Sequence, residues 1–453
     1  MSKFEYTESE QQFNNVLHHQ SKELSSIKRP DMSSVEACIS ESEALLKELG
    51  IATDKLPIVD NHDSKKVMIV PNWEELCIQA DKEVGGSTDL ESLFTDEELR
   101  INQATLRTLN ADYNSIHKLD KIDISICAAA GILGAVIDIL LVGIPQKTPQ
   151  GLKGGPLANY VRDWFNERFP EEEMEKLANS KISKVSFDAQ DNRHTKEYVT
   201  GLSAYYHRLL SLGHDPILGL IFGVNDILTG KMTTIDKTGK IVSQVMENYT
   251  DRKESDIFVA IVKQIIHFKS DITTSMGLPA PLMALFNLLQ FGSIGEEEQT
   301  IAEIVQGMYY EGYDFIHFCS MSMPTMIIEV IIRLGYGIKR IKEGNSIKES
   351  IPFSLNREKH PKLCTMLFIG HSAATAVNAG KVYFTKNPMD INYSQWIAFA
   401  KYSYKQLKWV LLEKPELRDA YVRDLIAEDL HEVYAEIDNT LAEMSEEYII
   451  VFN

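Results

Sequence analysis

The sequence predicts a mainly α protein: a multi-helix core of small-residue apolar helices, a peripheral N-terminal module and an acidic C-terminal helix. Three observations carry this expectation. Apolar runs of helical length follow one another from Ile124 to about Leu411. Strand-like alternation is confined to "VMIVPNW", "KISKVSF" and "KMTTIDKTGKIV", too little for a large sheet. Helix punctuation is frequent, as in the Thr95–Glu98 capping box and the Gly50 stop.

Along the chain, residues 1–117 are mostly polar and form the expected N-terminal module. "SSVEACISESEALLKELG" is an amphipathic helix closed by Gly50, and the capping box starts another at Thr95. The composition then shifts at Ile124, and a core domain is expected over 118–412. Its apolar runs fall at 124–142, 156–178, 197–229, 255–275, 279–291, 299–318, 323–342, 361–384 and 392–413. The tail, 413–453, reads as an acidic amphipathic helix that offers a surface to a protein partner.

The chain has 453 residues and a net charge of −19. That charge excludes a nucleic-acid partner, which needs a basic surface, and argues against polybasic attachment to anionic lipid. Five scattered cysteines with no CxxC pair suit a reducing compartment and give no thiolate zinc site. The polar, acidic start "MSKFEYTESEQQF" has no signal-peptide pattern, so a cytoplasmic protein is expected. One stretch, "ISICAAAGILGAVIDILLVGI" (124–144), has the length of a membrane span. Asp138 interrupts it, at a cost of roughly 2.5–3.5 kcal/mol on insertion scales. A buried core helix is therefore expected there, with peripheral membrane contact left open.

The apolar runs carry Asp138, His207, His214, Asp215, Asp226, His267, Asp271, Glu329 and His371. An ionised group buried without a partner is costly, so each needs a local hydrogen bond or a shared metal ion. For most, the local solution is expected. Asp215 precedes Pro216 and reads as an N-cap, Asp226 closes a helix, and Glu329 pairs with Arg333 four residues on. His371 and Asn378 bridge close-packed helices of small residues. The metal solution fits one subset better. His267 and Asp271 stand at i and i+4 on one helix face. His207 and His214 are seven apart, and Asp138 adds a carboxylate from an earlier helix. Together they form a mixed nitrogen and oxygen donor set of the kind that holds zinc or a similar divalent ion.

The order of these elements resembles the LexA-regulated, membrane-associated metal-dependent hydrolase family, over about residues 124–290. The residues that carry the resemblance are "GILGAVID" ending at Asp138, "HRLLSLGHDP" with His207, Arg208 and His214, and "HFKSDITTSMGLP". The last string holds His267, Asp271, Thr273, Thr274, Gly277 and Pro279. More distantly, the ligand order is similar to that of all-helical zinc-dependent phospholipases C. The resemblance implies Asp138, His207, His214, His267 and Asp271 as metal ligands and a metal-activated water as nucleophile. Asp215 or Asp226 would serve as general base and Arg208 would hold an anionic oxygen of a small-molecule or lipid phosphoester. Two other readings stay open: a membrane-perturbing effector, whose Gly/Ala-rich helices pack closely in lipid, and a helical scaffold whose buried polar groups serve packing alone.

Overall fold

The computed structural model describes residues 5–26, 32–50, 66–86, 88–149, 151–293 and 298–452. The fold is mainly α, with only two-stranded sheets among the described residues. The chain divides into two compact units, residues 1–115 with 414–453, and residues 116–413.

The first unit begins with α1 (Glu8–Ser26), α2 (Met32–Glu48), β1 (Lys66–Val70), α3 (Trp73–Val84) and α4 (Asp96–His117), whose last two residues enter the second unit. Asn72 caps α3 by accepting from the Glu75 N–H, and Gly85, at φ 65°, ends it in the left-handed conformation. The Thr95–Glu98 box starts α4, with each side chain accepting the other residue's N–H, at 3.2 and 2.7 Å. The acidic tail, expected as a segment of its own, is part of this unit: its ring of Tyr421 meets Tyr113 at 5.4 Å.

The second unit holds α5 (Lys121–Ile137), the hairpin β2 (Gln146–Thr148) and β3 (Gly151–Lys153), α6 (Pro156–Arg168) and α7 (Glu171–Ala178). After these come α8 (His207–Leu210), α9 (Phe222–Thr229), β4 (Lys231–Ile235), β5 (Ile241–Val245) and α10 (Ile257–Asp271). It closes with α11 (Ile301–Tyr310), α12 (Phe315–Lys342), α13 (Ile347–Ser350), α14 (Leu363–Thr385) and α15 (Tyr393–Lys408). The chain then returns to the first unit through α16 (Lys414–Glu447) and β6 (Tyr448–Phe452), which pairs in parallel with β1.

Helices α5, α12, α14 and α15 form a bundle around Cys127, Ala130, Ile328, Ile332, Met366, Leu367 and Tyr402. Glycines set how closely they approach. A Cβ added at Gly131 would lie 2.6 Å from the backbone oxygen of Gly370, so α5 and α14 touch through their main chains. Several buried polar groups in the bundle are paired, while His371 Nε2 and Gln395 Oε1 have no hydrogen-bond partner. Asp123 meets Lys339 at 2.7 Å, Glu329 meets Arg333 at 3.2 Å, and the His371 ring stacks on Tyr402 beside Gln395. Burial pushes the His371 pKa down to about 4, despite Glu329 and Gln395, so it stays neutral.

Several expected helices break, for physical reasons. The run 197–229 splits into turns, short 3-10 segments, α8 and α9, because Pro216 lacks a donor and Asp215 takes the Ile217 and Leu218 N–H groups. The run 279–291 keeps only a 3-10 segment, Met283–Leu288, after Pro279 and Pro281. "KMTTIDKTGKIV" is the β4–β5 hairpin, turning at Gly239 with φ 82°. "KISKVSF" is an irregular buried segment rather than a strand.

Segment 124–144, expected as a buried core helix, is only half-buried. One face of α5 (Cys127, Ala130, Gly131, Gly134) is inside, while Ile132, Leu133, Val136 and Leu140 are exposed. The outer face of α12 repeats this with Met326, Val330, Leu334 and Ile338. Windows in both regions are long and apolar enough to cross a membrane by length and composition.

The close approach of α5 and α14 gives a test. Gly131→Ala should destabilise the protein by about 1–3 kcal/mol, because the new methyl meets a main-chain oxygen that cannot rotate away. Gly380→Ala, also in a bundle helix but with nothing within 4 Å of the new Cβ, should be neutral or stabilise by up to about 1 kcal/mol. Denaturant unfolding of both variants measures the contrast, and equal effects would disprove the contact.

Candidate metal centre

Helix α10 builds one wall of the site. Asp256 caps it by accepting from the Phe258 and Val259 N–H groups. Its amphipathic sense is inverted: Lys263, Gln264, His267, Ser270 and Asp271 point inward, while Phe258, Val262 and Ile265 are exposed. The inward stripe has helical spacing, and its polar members have partners. Gln264 donates to the Gly213 oxygen at 2.8 Å, and Lys263 meets Glu254 at 2.7 Å. His267 and Asp271 share a face, with Nε2 3.5 Å from Oδ2.

The opposite wall comes from α8, the turn after it and the irregular segment 181–190. α8 supplies His207, and the Leu212–His214 turn supplies His214. The irregular segment contributes three times. The Ser183 oxygen accepts from His267 Nδ1 at 3.0 Å, the Phe187 ring lies edge-on to His214 and His267, and Asp188 turns its carboxylate toward His207 and His214. Gly213 makes room for Phe187, since a Cβ there would sit 2.5 Å from the ring.

Five side chains therefore converge: Asp188, His207, His214, His267 and Asp271. They form two overlapping groups of three, Asp188–His207–His214 and His214–His267–Asp271, each with donor atoms within 4.8 Å of one another. The closest separations are 3.3 Å (His207 Nε2 to Asp188 Oδ1), 3.6 Å (His214 to Asp188), 3.7 Å (His214 to Asp271) and 3.5 Å (His267 to Asp271). Ligands held 2.0–2.2 Å from a tetrahedral ion stand about 3.4 Å apart, so the spacings within each group of three fit an ion.

The donor chemistry fits as well. His207 and His267 engage their Nδ1 atoms with backbone oxygens of Ala204 and Ser183, at 2.9 and 3.0 Å. A backbone carbonyl only accepts, so the proton sits on Nδ1 and the Nε2 lone pair faces the site, the arrangement typical of metal-bound histidine. His207 Nε2, His214 Nε2, His267 Nε2 and Asp271 Oδ2 are all buried without a hydrogen-bond partner. Such orphans are a large penalty unless a cation satisfies them. Burial pushes the His214 pKa down to about 4, against the Asp188 carboxylate, which keeps the imidazole neutral and able to ligate.

Asp271 is the joint between this cluster and the rest of the site. Its Oδ1 accepts from Arg208 Nη2 at 3.0 Å, which leaves Oδ2 for the imidazoles. Arg208 also donates to Thr274 Oγ1 at 2.8 Å and to the Gly277 oxygen at 3.3 Å. Gly277 adopts φ 62°, the left-handed conformation that glycine tolerates, and so turns that oxygen toward Arg208 and the Tyr309 hydroxyl.

His207, His214, His267 and Asp271 of the expected ligand set meet here. Asp138 does not: its carboxylate accepts from Asn378 and Asn392 inside the bundle, near Lys381, and is satisfied there. Asp188 takes its place, a residue the sequence reading missed because an irregular segment has no periodicity to mark it. The roles expected for three further residues are corrected. Arg208 is committed to Asp271 and Thr274 and is only 13% exposed, so it positions a ligand rather than holding a substrate oxygen. Asp226 staples α9 to β4 by accepting from the Thr233 N–H and hydroxyl, both at 2.7 Å; burial pushes its pKa up to about 6. Asp215 caps the turn after it through Oδ1, and neither aspartate belongs to a group of three.

No protein-family model, curated protein or solved structure matches the chain.

The Arg208–Asp271 pair has a measurable consequence. Arg208→Gln strands a buried carboxylate oxygen, and removing one partner of a buried pair costs about 3–5 kcal/mol. The loss should appear in denaturant unfolding with chelator present and shrink when zinc is added. A variant as stable as wild type under both conditions would show that Asp271 does not depend on Arg208.

Proposed function

We propose that this chain is a metal-dependent hydrolase acting on a phosphoester, with its core helices seated against a membrane. The observation that carries the reading is the convergence of three imidazole nitrogens and an aspartate oxygen, all buried and unpartnered, beside the Asp188 carboxylate. Zinc is the ion expected for this borderline donor set. A bound divalent ion supplies Lewis acidity and lowers the pKa of a water toward about 7.

The residues of the chain supply the rest. His207 and His267 are fixed in one tautomer by their backbone bonds, and Arg208 fixes Asp271. Four of the five side chains are at most 4% exposed, whereas that of Asp188 is 28% exposed. Structural metal sites are closed and catalytic ones keep an open position, so the Asp188 edge supports a reactive role and is the side from which substrate enters. Two carboxylates, one guanidinium and a divalent ion leave one net positive charge, which favours an anionic substrate. The phosphoester class also follows from the resemblance carried by residues 124–290.

The membrane element rests on the exposed apolar faces of α5 and α12. From Ile122 to Leu141 is about 30 Å at 1.5 Å per residue, close to the thickness of a bilayer's hydrocarbon core. Lys121, Lys339, Arg340 and Lys342 stand at one end of these faces, and Lys147 and Lys153 follow the other. A scaffold or a membrane-perturbing effector leaves the orphaned donor atoms unexplained.

Untagged protein should contain zinc or a similar ion in stoichiometric amount and hydrolyse bis(p-nitrophenyl) phosphate, with activity lost to chelator. Asp188→Asn, His207→Ala and His267→Ala should each lower metal affinity by about tenfold or more, while Asp138→Asn leaves it unchanged. Metal content by mass spectrometry decides this, and protein that binds no metal would falsify the hydrolase reading.

The membrane element has its own measurement. Wild-type protein should float with liposomes in a density gradient, and the double variant Val136→Glu/Val330→Glu should not. Both residues are exposed, so folding is spared. A wild type that remains at the bottom of the gradient overturns the membrane element alone.

A further inference from the structure

Next to the cluster lies a second, polar cavity of about 610 Å³, within the roughly 300–1,000 Å³ of small-molecule sites. Its walls are the β2–β3 hairpin, α6, the turn that follows α10 and the end of α11. About half of the polar groups in these walls are already engaged. Arg162 is held in a two-pronged pair with Asp314 at 2.8 and 2.9 Å, Asn159 bonds both backbone groups of Gly154, and Thr273 donates to the Phe169 oxygen. Those bonds make the walls rigid and leave a smaller set of groups for a ligand. Lys147 lies 4.6 Å from the Tyr310 ring centre, and Lys153, Asp163 and Glu171 have no ion-pair partner among the described residues. Cations thus come from the hairpin, and carboxylates from α6 and the start of α7.

We propose that this cavity binds a zwitterionic phosphoester headgroup, with its phosphate on Lys147 and Lys153 and its ammonium toward Asp163 and Glu171. A simple anion would leave both carboxylates opposed to it, and a simple cation would leave both lysines so; a zwitterion satisfies all four. The position agrees with a lipid source. The cavity begins six residues after Leu141, the last exposed apolar residue of the segment that continues α5, and includes Asp314, which caps α12. A chain lying along those faces would bring its headgroup here. The inference rests on the membrane-seated reading and assigns an accessory headgroup site beside the cluster, since no residue of the two groups of three lines the cavity. Thr274 connects the two sites: it lines the cavity and accepts from Arg208, which holds Asp271.

The test uses the full chain and the soluble probe glycerophosphoethanolamine, followed by calorimetry. Wild type and His267→Ala should bind it equally, because the cavity is intact in both. The double variant Lys147→Ala/Lys153→Ala should bind about tenfold more weakly, as should inorganic phosphate to wild type. Vesicles of phosphatidylethanolamine mixed with phosphatidylglycerol should capture more protein than phosphatidylglycerol alone if the headgroup comes from lipid. Equal capture with intact probe binding supports the same chemistry from a free metabolite. Metal-loaded, hydrolytically active protein that does not bind the probe, or binds it unchanged in the double lysine variant, overturns the cavity assignment and leaves the hydrolase reading standing. Probe binding by protein that holds no metal keeps the cavity assignment and refutes the hydrolase reading instead.

Discussion

The division of the Asp271 carboxylate between two kinds of partner organises the second unit. One oxygen is neutralised by Arg208, and the other faces His214 and His267. Without the guanidinium, a buried anion would face unpaired imidazoles at a cost of several kcal/mol. With it, the ligand end of the carboxylate is held at a fixed angle while Arg208 reaches on to Thr274 and Gly277. The left-handed Gly277, the Tyr309 hydroxyl and the end of α10 all serve that placement.

The same constraint explains why α10 is built with its polar side inward. A helix that must present Gln264, His267 and Asp271 to the interior has no apolar face left for the core, and its hydrophobic residues fall on the outside. Burial of this polar stripe is unfavourable in isolation. Under the proposed reading a bound cation would offset it, since ligands that bind only the folded chain add directly to stability. The apolar outer faces of α5 and α12 arise separately, because their inner faces are occupied by glycine and alanine contacts that bring backbones together.

Two buried polar centres in this unit show how a structural group differs from a candidate ligand. Around Asp138, both carboxylate oxygens are taken by Asn378 and Asn392, and Asn378 also meets Asp390 and Trp396. That network ties the α14 and α15 ends to the end of α5. Around Asp271, its Oδ2 and the Nε2 atoms of His214 and His267 lie within 4.8 Å of one another and have no hydrogen-bond partner. The residue types are alike; the presence or absence of hydrogen-bond partners separates them.

The mainly α fold, the capping box at Thr95 and the shared face of His267 and Asp271 were legible from the sequence because each depends on near neighbours and on the 3.6-residue period. The same period recovered the Glu329–Arg333 pair. It failed where the chain is irregular. His207 and His214 reach the site although the helix expected between them is broken, and Asp188 comes just after "KISKVSF", which alternation had suggested to be a strand. Asp138 had the right residue type in a suitable helix, yet its helix ends beside asparagines more than two hundred residues away in sequence. Which carboxylate meets which imidazole depends on contacts between distant segments, and those are set by packing, which no local spacing encodes.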